Sequence, residues 1–181
     1  MPGMSWSALL NSNTGPGTAV ANTASLTKLT PDPPFVLPAN FVYSVGTSFT
    51  IKAFGVLSTT ATPTLILGVY YGGTGGTALA VNSAVTQGSA VTNVPWRLEY
   101  DLIFRSNGAT AAAMGSGFVK FGSSVSAWQT ADEVPIPNTA LATVSVDTTA
   151  AKEIALGATW SAASSSNTIT LHGFKIWSDN L

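Results

Sequence analysis

Apolar and polar residues alternate most regularly between residues 94 and 105. One phase of this stretch carries five large apolar side chains, those of Trp96, Leu98, Tyr100, Leu102 and Phe104. The other phase carries four charged residues, Arg97, Glu99, Asp101 and Arg105. Because successive side chains of a β-strand point to opposite faces, the pattern predicts an antiparallel strand with one face in a core and the other in solvent.

Seven further stretches predict strands, and glycine and proline residues separate them. They cover residues 49–57, 63–71, 77–86, 112–121, 141–147, 153–160 and 167–177. In the last of these the apolar phase slips near Gly173, which predicts a β-bulge. No stretch has the 3.6-residue periodicity and caps of an amphipathic helix. About eight strands predict an all-β antiparallel sandwich, and a jelly-roll-like arrangement is the leading choice.

The first 34 residues differ from the rest, because Asn, Thr, Gly and Pro dominate them. We interpret residues 1–34 as an extended N-terminal arm and residues 35–181 as the jelly-roll-like domain. A disordered tail is the alternative interpretation of such a composition. Apolar and proline residues at both ends of the arm are its candidate contacts with a partner: Trp6, Leu9, Leu10, Pro33, Pro34 and Phe35.

Charge is scarce along the whole chain. Lysine, arginine, aspartate and glutamate make up 8% of the residues, against roughly 25% in an ordinary domain. The formal net charge is −1, although 45% of the residues are hydrophobic. Soluble monomers normally rely on surface charge to stay apart. The composition therefore favours a building block that stays in contact with other protein molecules.

The same composition argues against several other partners. Apolar runs such as residues 65–71 are far shorter than the ~20 residues of a transmembrane helix, so no membrane association is expected. The first basic residue is Lys28, which argues against a secretory signal peptide. The seven basic residues are scattered singly, so nucleic-acid binding is not expected.

Catalytic motifs are weak. His172 is the one imidazole in the chain, there is no cysteine, and no serine lies in a G-x-S-x-G elbow. The loop at residues 72–77 is rich in glycine but lacks the Lys and helix of a phosphate site, so it predicts a hairpin turn. The acid pairs Glu99/Asp101 and Asp132/Glu133 favour surface ion pairs over catalysis or calcium binding. We expect no enzyme, no cofactor and no metal.

Aromatic residues offer a recognition surface instead. Tyr70 and Tyr71 stand at a predicted strand end beside the glycine-rich loop, and Trp128 lies in the long connection 123–139. Long connections of this kind are often functional. These three residues are the candidate surface-recognition residues, with a glycan as the less favoured ligand. Trp96 and Trp160 fall on apolar strand phases and are expected in the core.

Four segments are familiar in their order and spacing. They are LPANF at 37–41, TPTLILGVYYGG at 62–73, PWRLE at 95–99, and ATWSAAS at 158–164, which SNTI follows at 166–169. Together they resemble a group of small virion proteins of tailed bacteriophages, described as head-decoration, head-fibre or minor tail proteins. The resemblance covers roughly residues 37–178, and its motifs are structural rather than catalytic.

The resemblance implies a non-enzymatic structural component of a phage virion. The favoured role is a capsid decoration protein that binds and stabilises the lattice of the major capsid protein. Such a protein would lie on the capsid surface after synthesis in the bacterial host cytoplasm. A homotrimer is expected, since closed cyclic symmetry suits the symmetric sites of a shell. The alternative is a receptor- or glycan-binding module of a head fibre or tail.

Overall fold

The computed structural model describes residues 7–30, 33–129 and 133–179. Within these ranges it contains fifteen β-strands and no helix. The described residues therefore include no helix that could cross a membrane. The strands are β1 (Ala8–Ser12), β2 (Val20–Ala21), β3 (Thr27–Lys28), β4 (Val36–Leu37), β5 (Ser48–Ser58), β6 (Thr64–Tyr71), β7 (Thr77–Val81), β8 (Val85–Thr86), β9 (Val94–Phe104), β10 (Ala111–Ser124), β11 (Ala127–Trp128), β12 (Val134–Ile136), β13 (Val144–Val146), β14 (Lys152–Trp160) and β15 (Thr168–Ser178).

The strands form two sheets in which every pairing is antiparallel. The nine-stranded sheet has the order β1-β15-β5-β9-β10-β11, with β2 beside β15 and with β12 and β13 beside β10. The six-stranded sheet has the order β3-β14-β6-β7, with β4 beside β14 and β8 beside β6. The early strands β5 and β6 pair with the late strands β15 and β14, one pair in each sheet. This wrapping gives the sandwich its jelly-roll-like character.

One hydrophobic core fills the space between the sheets. Each long strand contributes alternate residues to it, and on β9 every second residue from Val94 to Phe104 is buried. The largest buried side chains include Trp96 and Trp160, as their positions on apolar strand phases predict. Phe49 and Phe104 meet edge to face with 5.9 Å between ring centroids, a favourable arrangement for aromatic rings.

The main strands lie where the sequence predicts them. Each of the eight predicted stretches contains a strand, and the all-β antiparallel sandwich is confirmed. The predicted bulge is also present, because the register between β15 and β5 shifts between Leu171 and Gly173. Two predictions were too long: residues 77–86 divide into β7 and β8, and only β13 forms within 141–147. The long connection 123–139 contains β11 and β12.

The N-terminal segment corrects the expectation of a separate arm. Strands β1 and β2 pair with β15 at the edge of the nine-stranded sheet, whereas β3 pairs with β14 in the other sheet. Between Val20 and Thr30 the chain crosses from one sheet to the other, and Val20 and Leu29 are buried in the common core. The described part of this segment is extended, but it lies against its own domain.

Candidate functional site

The two outer surfaces of the sandwich differ in charge. Nine charged residues lie on the outer surface of the nine-stranded sheet or at its margins, out of fifteen in the chain; we call this surface the charged face. They are Lys52, Arg97, Glu99, Asp101, Arg105, Lys120, Glu133, Lys175 and Asp179. The alternation on β5, β9, β10 and β15 directs the charged residues of these strands away from the core. This face is suited to contact with water.

Short polar networks cross the charged face from strand to strand. Glu99 accepts from Lys52 Nζ at 3.1 Å and from Arg97 Nη2 at 3.0 Å. The hydroxyl of Thr50 lies 2.9 Å from both Asp101 Oδ1 and Asp179 Oδ2. These groups are partly exposed, so the pairs contribute little to stability. Their chemistry is that of cross-strand ion pairs, which is what the sequence predicts for Glu99 and Asp101.

The opposite surface, the outer side of the six-stranded sheet, is nearly uncharged; we call it the neutral face. Its outward positions on β14, β6 and β7 are small or apolar: Thr64, Ile66, Gly68, Tyr70, Ala78, Val81, Ala155, Gly157 and Thr159. Among the described residues its charges are Lys28 and Glu153, which neutralise each other at 3.2 Å. Apolar side chains at its margins, Leu26 and Val36, are exposed.

Tyr70 lies in the neutral face but not on its surface. A Cβ atom at Gly68 or Gly157 would approach the Tyr70 ring to 2.8 or 2.9 Å, so the ring occupies the space that these glycines leave free. Leu26 and Thr74 also border Gly157. Tyr70 is therefore only 7% exposed, and burial raises the pKa of its hydroxyl. The prediction of an accessible Tyr70 was wrong.

Tyr71 points the other way and enters the core, where its ring meets Phe104 at 6.3 Å. It is 4% exposed, so its predicted role on the surface was wrong as well. Burial, with a smaller contribution from the nearby charge of Asp147, raises the pKa of Tyr71 to about 12. The Thr149 hydroxyl and backbone N–H, in turn, lower the pKa of Asp147. Tyr71 and Asp147 border a polar groove beside the 72–76 loop.

Trp128 is the predicted recognition residue that remains accessible, with 40% of its surface exposed. It lies on β11, which forms a hairpin with the end of β10, and Val125 at the hairpin tip is exposed as well. Pairing with Gly122 sets the Trp128 side chain on the charged face, since Gly122 occupies an outward position of β10.

The candidate contacts of the N-terminal segment divide into three groups. Leu9 and Pro33 are exposed and available to a partner. Leu10 and Phe35 pack against the domain's own core, and Pro34 is half-buried. This correction follows from the pairing of the segment with both sheets, which turns part of its apolar surface inward. Trp6 lies outside the described residues.

Other chemical motifs are dispersed over the domain. His172 is exposed at the β15 bulge, and Asp132 lies outside the described residues. Glu133 reaches Lys120 at 3.6 Å. At the 72–76 loop, the backbone N–H of Gly76 donates to the Gly73 carbonyl at 3.0 Å, and the loop joins β6 to β7 as a hairpin turn, as predicted. In residues 7–30, 33–129 and 133–179 no cluster of three potential metal ligands occurs.

Two accessible aromatic residues were not singled out from the sequence, Tyr43 and, on the sheet surface, Phe54. Phe54 is 52% exposed on the charged face. A signal was present, because Phe54 shares the outward phase of β5 with the polar residues Thr50 and Lys52. An aromatic side chain in the polar phase of a half-buried strand is expected on the surface.

Comparison with known proteins gave one structural likeness. No protein-family model and no curated protein matched the sequence. Among solved structures, the chain was matched to the CBM2 module of the evolved Dit of Lactobacillus casei BL23 phage J-1. The identity is 11%, the match covers 98% of each chain, and the TM-score is 0.38. At this TM-score the likeness supports no inference about the function of this chain.

Proposed function

We propose that this chain is a non-enzymatic structural component of a tailed-phage virion that attaches to the capsid lattice as a decoration protein. The segregation of charge supports attachment, because it leaves one broad face of the sandwich without unpaired charge among its described residues. The phage assignment rests on the four sequence segments that resemble small virion proteins.

The neutral face fits contact with a protein lattice for an energetic reason. Removing charges from water is costly, and an interface that contains few of them avoids this penalty. On the neutral face, Lys28 and Glu153 already compensate each other, and threonine hydroxyls supply hydrogen bonds without net charge. The charged face, with nine ionisable side chains, remains toward solvent in this arrangement.

In this proposal the protein acts stoichiometrically on the surface of the capsid. Each bound copy adds buried interface to the lattice and thereby stabilises the assembled shell by mass action. The bound unit is a homotrimer, which suits the symmetric positions of a shell, and the partner is the major capsid protein. The mass of the purified protein in solution tests the trimer.

The test compares virions assembled with and without the protein. Complete virions should survive heating and low salt better, because the added interface holds the shell against its internal DNA pressure. Immunogold labelling should place the protein on heads. Equal survival of both kinds of virion would contradict reinforcement of the shell, and labelling of tails would contradict the location.

A second candidate function is a receptor- or glycan-binding module of a head fibre or tail. The exposed Trp128 on a hairpin favours it, although the burial of Tyr70 and Tyr71 removes two of its three candidate residues. Host-cell adsorption tests this function. Virions that carry Trp128→Ala should adsorb less than wild-type virions if it holds, and equally well if it does not.

A further inference from the structure

A row of apolar side chains crosses the charged face near the end that carries the β10–β11 hairpin. Phe54 and Val56 lie on β5, Pro95 on β9 opposite Val56, and Trp128 on β11. We call these four residues the aromatic strip. We propose that the aromatic strip binds an extended neutral polysaccharide chain, which stacks its sugar rings on Phe54 and Trp128. This inference rests on the second function above and names its site.

Two glycines let side chains of the strip lie close to the sheet. A Cβ atom at Gly173 would lie 2.2 Å from Phe54 Cε1, so the Phe54 ring lies directly over that glycine. A Cβ atom at Gly122, beside Trp128 in the sheet, would lie 2.8 Å from Pro95 Cδ. Gly173 lies on β15, on the side of Phe54 away from Trp128, whereas Gly122 lies on β10 between Pro95 and Trp128 and places no side chain between them. The result is a flat surface, which suits the flat face of a sugar ring.

The spacing of the rings indicates the size of the ligand. Phe54 and Trp128 are three strand spacings apart in the order β5-β9-β10-β11, which corresponds to roughly 14 Å between the two backbones. The Phe54 ring leans away from Trp128, over Gly173 of β15. A single sugar ring is too small to touch both. The ligand is therefore an extended chain of several sugars, with Val56 and Pro95 beneath its middle.

Polar groups beside the strip match the edges of such a chain. Arg97 pairs with Phe54 across the strands, and Lys120 follows on β10. Their N–H groups can donate to hydroxyl oxygens. Glu99 is shared by Arg97 and Lys52, and Glu133 lies 3.6 Å from Lys120. With Asp101 beside them, the three cations and three carboxylates of this region sum to zero, so the strip favours a neutral ligand over an anionic one.

The same surroundings disfavour a protein partner on this strip. A stable protein interface covers about 800 Å² on each side and has a largely uncharged centre. A partner of that size would also cover Lys52, Glu99 and Arg97 and would take their charges out of water. A narrow polysaccharide chain covers the rings and leaves these ions hydrated.

Binding of the purified full-length protein to insoluble cellulose and chitin, and to purified cell-wall polysaccharide of the host, tests the proposal. Trp128→Ala and Phe54→Ala should each weaken binding roughly threefold to tenfold, because each removes one stacking contact. Trp128→Phe and Phe54→Tyr, which keep an aromatic ring, should retain most of the polysaccharide binding. Tyr43→Ala, which removes an exposed aromatic outside the strip, should leave binding unchanged.

Thermal unfolding of each variant shows whether the domain remains folded, and the ring-retaining variants keep the test valid if an alanine variant unfolds. Absence of wild-type binding to all three polysaccharides would overturn the proposal. So would binding that persists in both alanine variants, or strip variants that instead lose a capsid protein. Polysaccharide binding with normal host adsorption by Trp128→Ala virions would support the strip and contradict the receptor role.

Discussion

Asn13 and Phe174 exchange two hydrogen bonds across the edge of the nine-stranded sheet. The backbone N–H of Asn13 donates to the Phe174 carbonyl at 3.1 Å, and the backbone N–H of Phe174 donates to Asn13 Oδ1. The Asn13 Nδ2 group also donates to the His172 carbonyl at 3.1 Å. One side chain thus satisfies backbone groups of β15 in the stretch between its pairings with β1 and with β2.

Replacement of Asn13 by alanine should therefore destabilise the domain. The Phe174 N–H and the His172 carbonyl lose their side-chain partner, and we expect a loss of about 1–3 kcal/mol in the free energy of unfolding. Urea denaturation measures it. Asn138→Ala, at an exposed asparagine, is the matched control and should change stability by less than about 0.5 kcal/mol. Equal effects of the two substitutions would contradict the role of Asn13.

Tyr100 carries a buried hydroxyl without a hydrogen-bond partner in the part of the chain that the structure describes. Burial raises the pKa of this hydroxyl. Tyr100→Phe removes the unpaired group, so we expect stability to remain unchanged or to rise by about 1 kcal/mol. Tyr43→Phe, at an exposed tyrosine, is the control for the substitution itself. A loss of more than about 1 kcal/mol in Tyr100→Phe would mean that the hydroxyl is stabilising.

Gly115 faces the same hydroxyl. A Cβ atom there would lie 2.3 Å from the Tyr100 hydroxyl oxygen, 2.4 Å from Tyr100 Cζ and 2.5 Å from the Asp101 carbonyl oxygen. Gly115→Ala should cost about 1–3 kcal/mol through overpacking. In the double variant Tyr100→Phe/Gly115→Ala, thermal unfolding should show partial recovery, because the hydroxyl contact disappears while the contacts with the ring Cζ and the Asp101 carbonyl remain. Strict additivity would contradict the contact.

Tyr71 makes stability depend on pH in the alkaline range. Its pKa is about 12 in the folded protein, against 10.0 ordinarily, so the unfolded chain loses the phenolic proton first. The stabilisation is complete below about pH 10 and decreases as the pH rises toward about 12. In Tyr71→Phe the free energy of unfolding should fall less steeply between about pH 10 and about pH 12. An identical slope in Tyr71→Phe and wild type would contradict this assignment.

Leu29 anchors the N-terminal segment to the core. It is 1% exposed, and its backbone N–H donates to the Leu156 carbonyl at 2.8 Å. Leu29→Ala should cost about 2–5 kcal/mol, as for other buried leucines. Leu9→Ala, at an exposed position of β1, should change stability by less than about 0.5 kcal/mol in the same urea titration. A small effect at Leu29 would show that the segment does not stabilise the domain.

The strands were predictable where a local pattern specifies them. Residues 94–105 alternate strictly, and the phase slip near Gly173 marks the bulge, because both signals lie within a few neighbouring residues. The pairing of the N-terminal segment was not predictable in this way. Strands β2 and β3 have two residues each, too few for a periodic pattern, and their partners lie far along the chain.

Only part of the candidate site was predictable, because contacts between residues distant in sequence determine the rest. Trp128 is exposed, as its place in a long connection predicts. Tyr70 occupies an outward strand position, but Leu26, which is distant in sequence, and the space over Gly68 and Gly157 bury it. The aromatic strip combines residues from three strands, so it emerges only when the register is known.

Attachment through the neutral face is tested most directly by adding one charge to each face and measuring binding to virions that lack the protein. Thr159→Lys places an unpaired ammonium on the neutral face, whereas Ser116→Lys places one beside Asp101 on the charged face. Burying an unpaired charge costs several kcal/mol. We expect Thr159→Lys to lose at least about tenfold in capsid binding and Ser116→Lys to bind like wild type. Normal binding by Thr159→Lys, or a loss in Ser116→Lys alone, would contradict attachment through the neutral face.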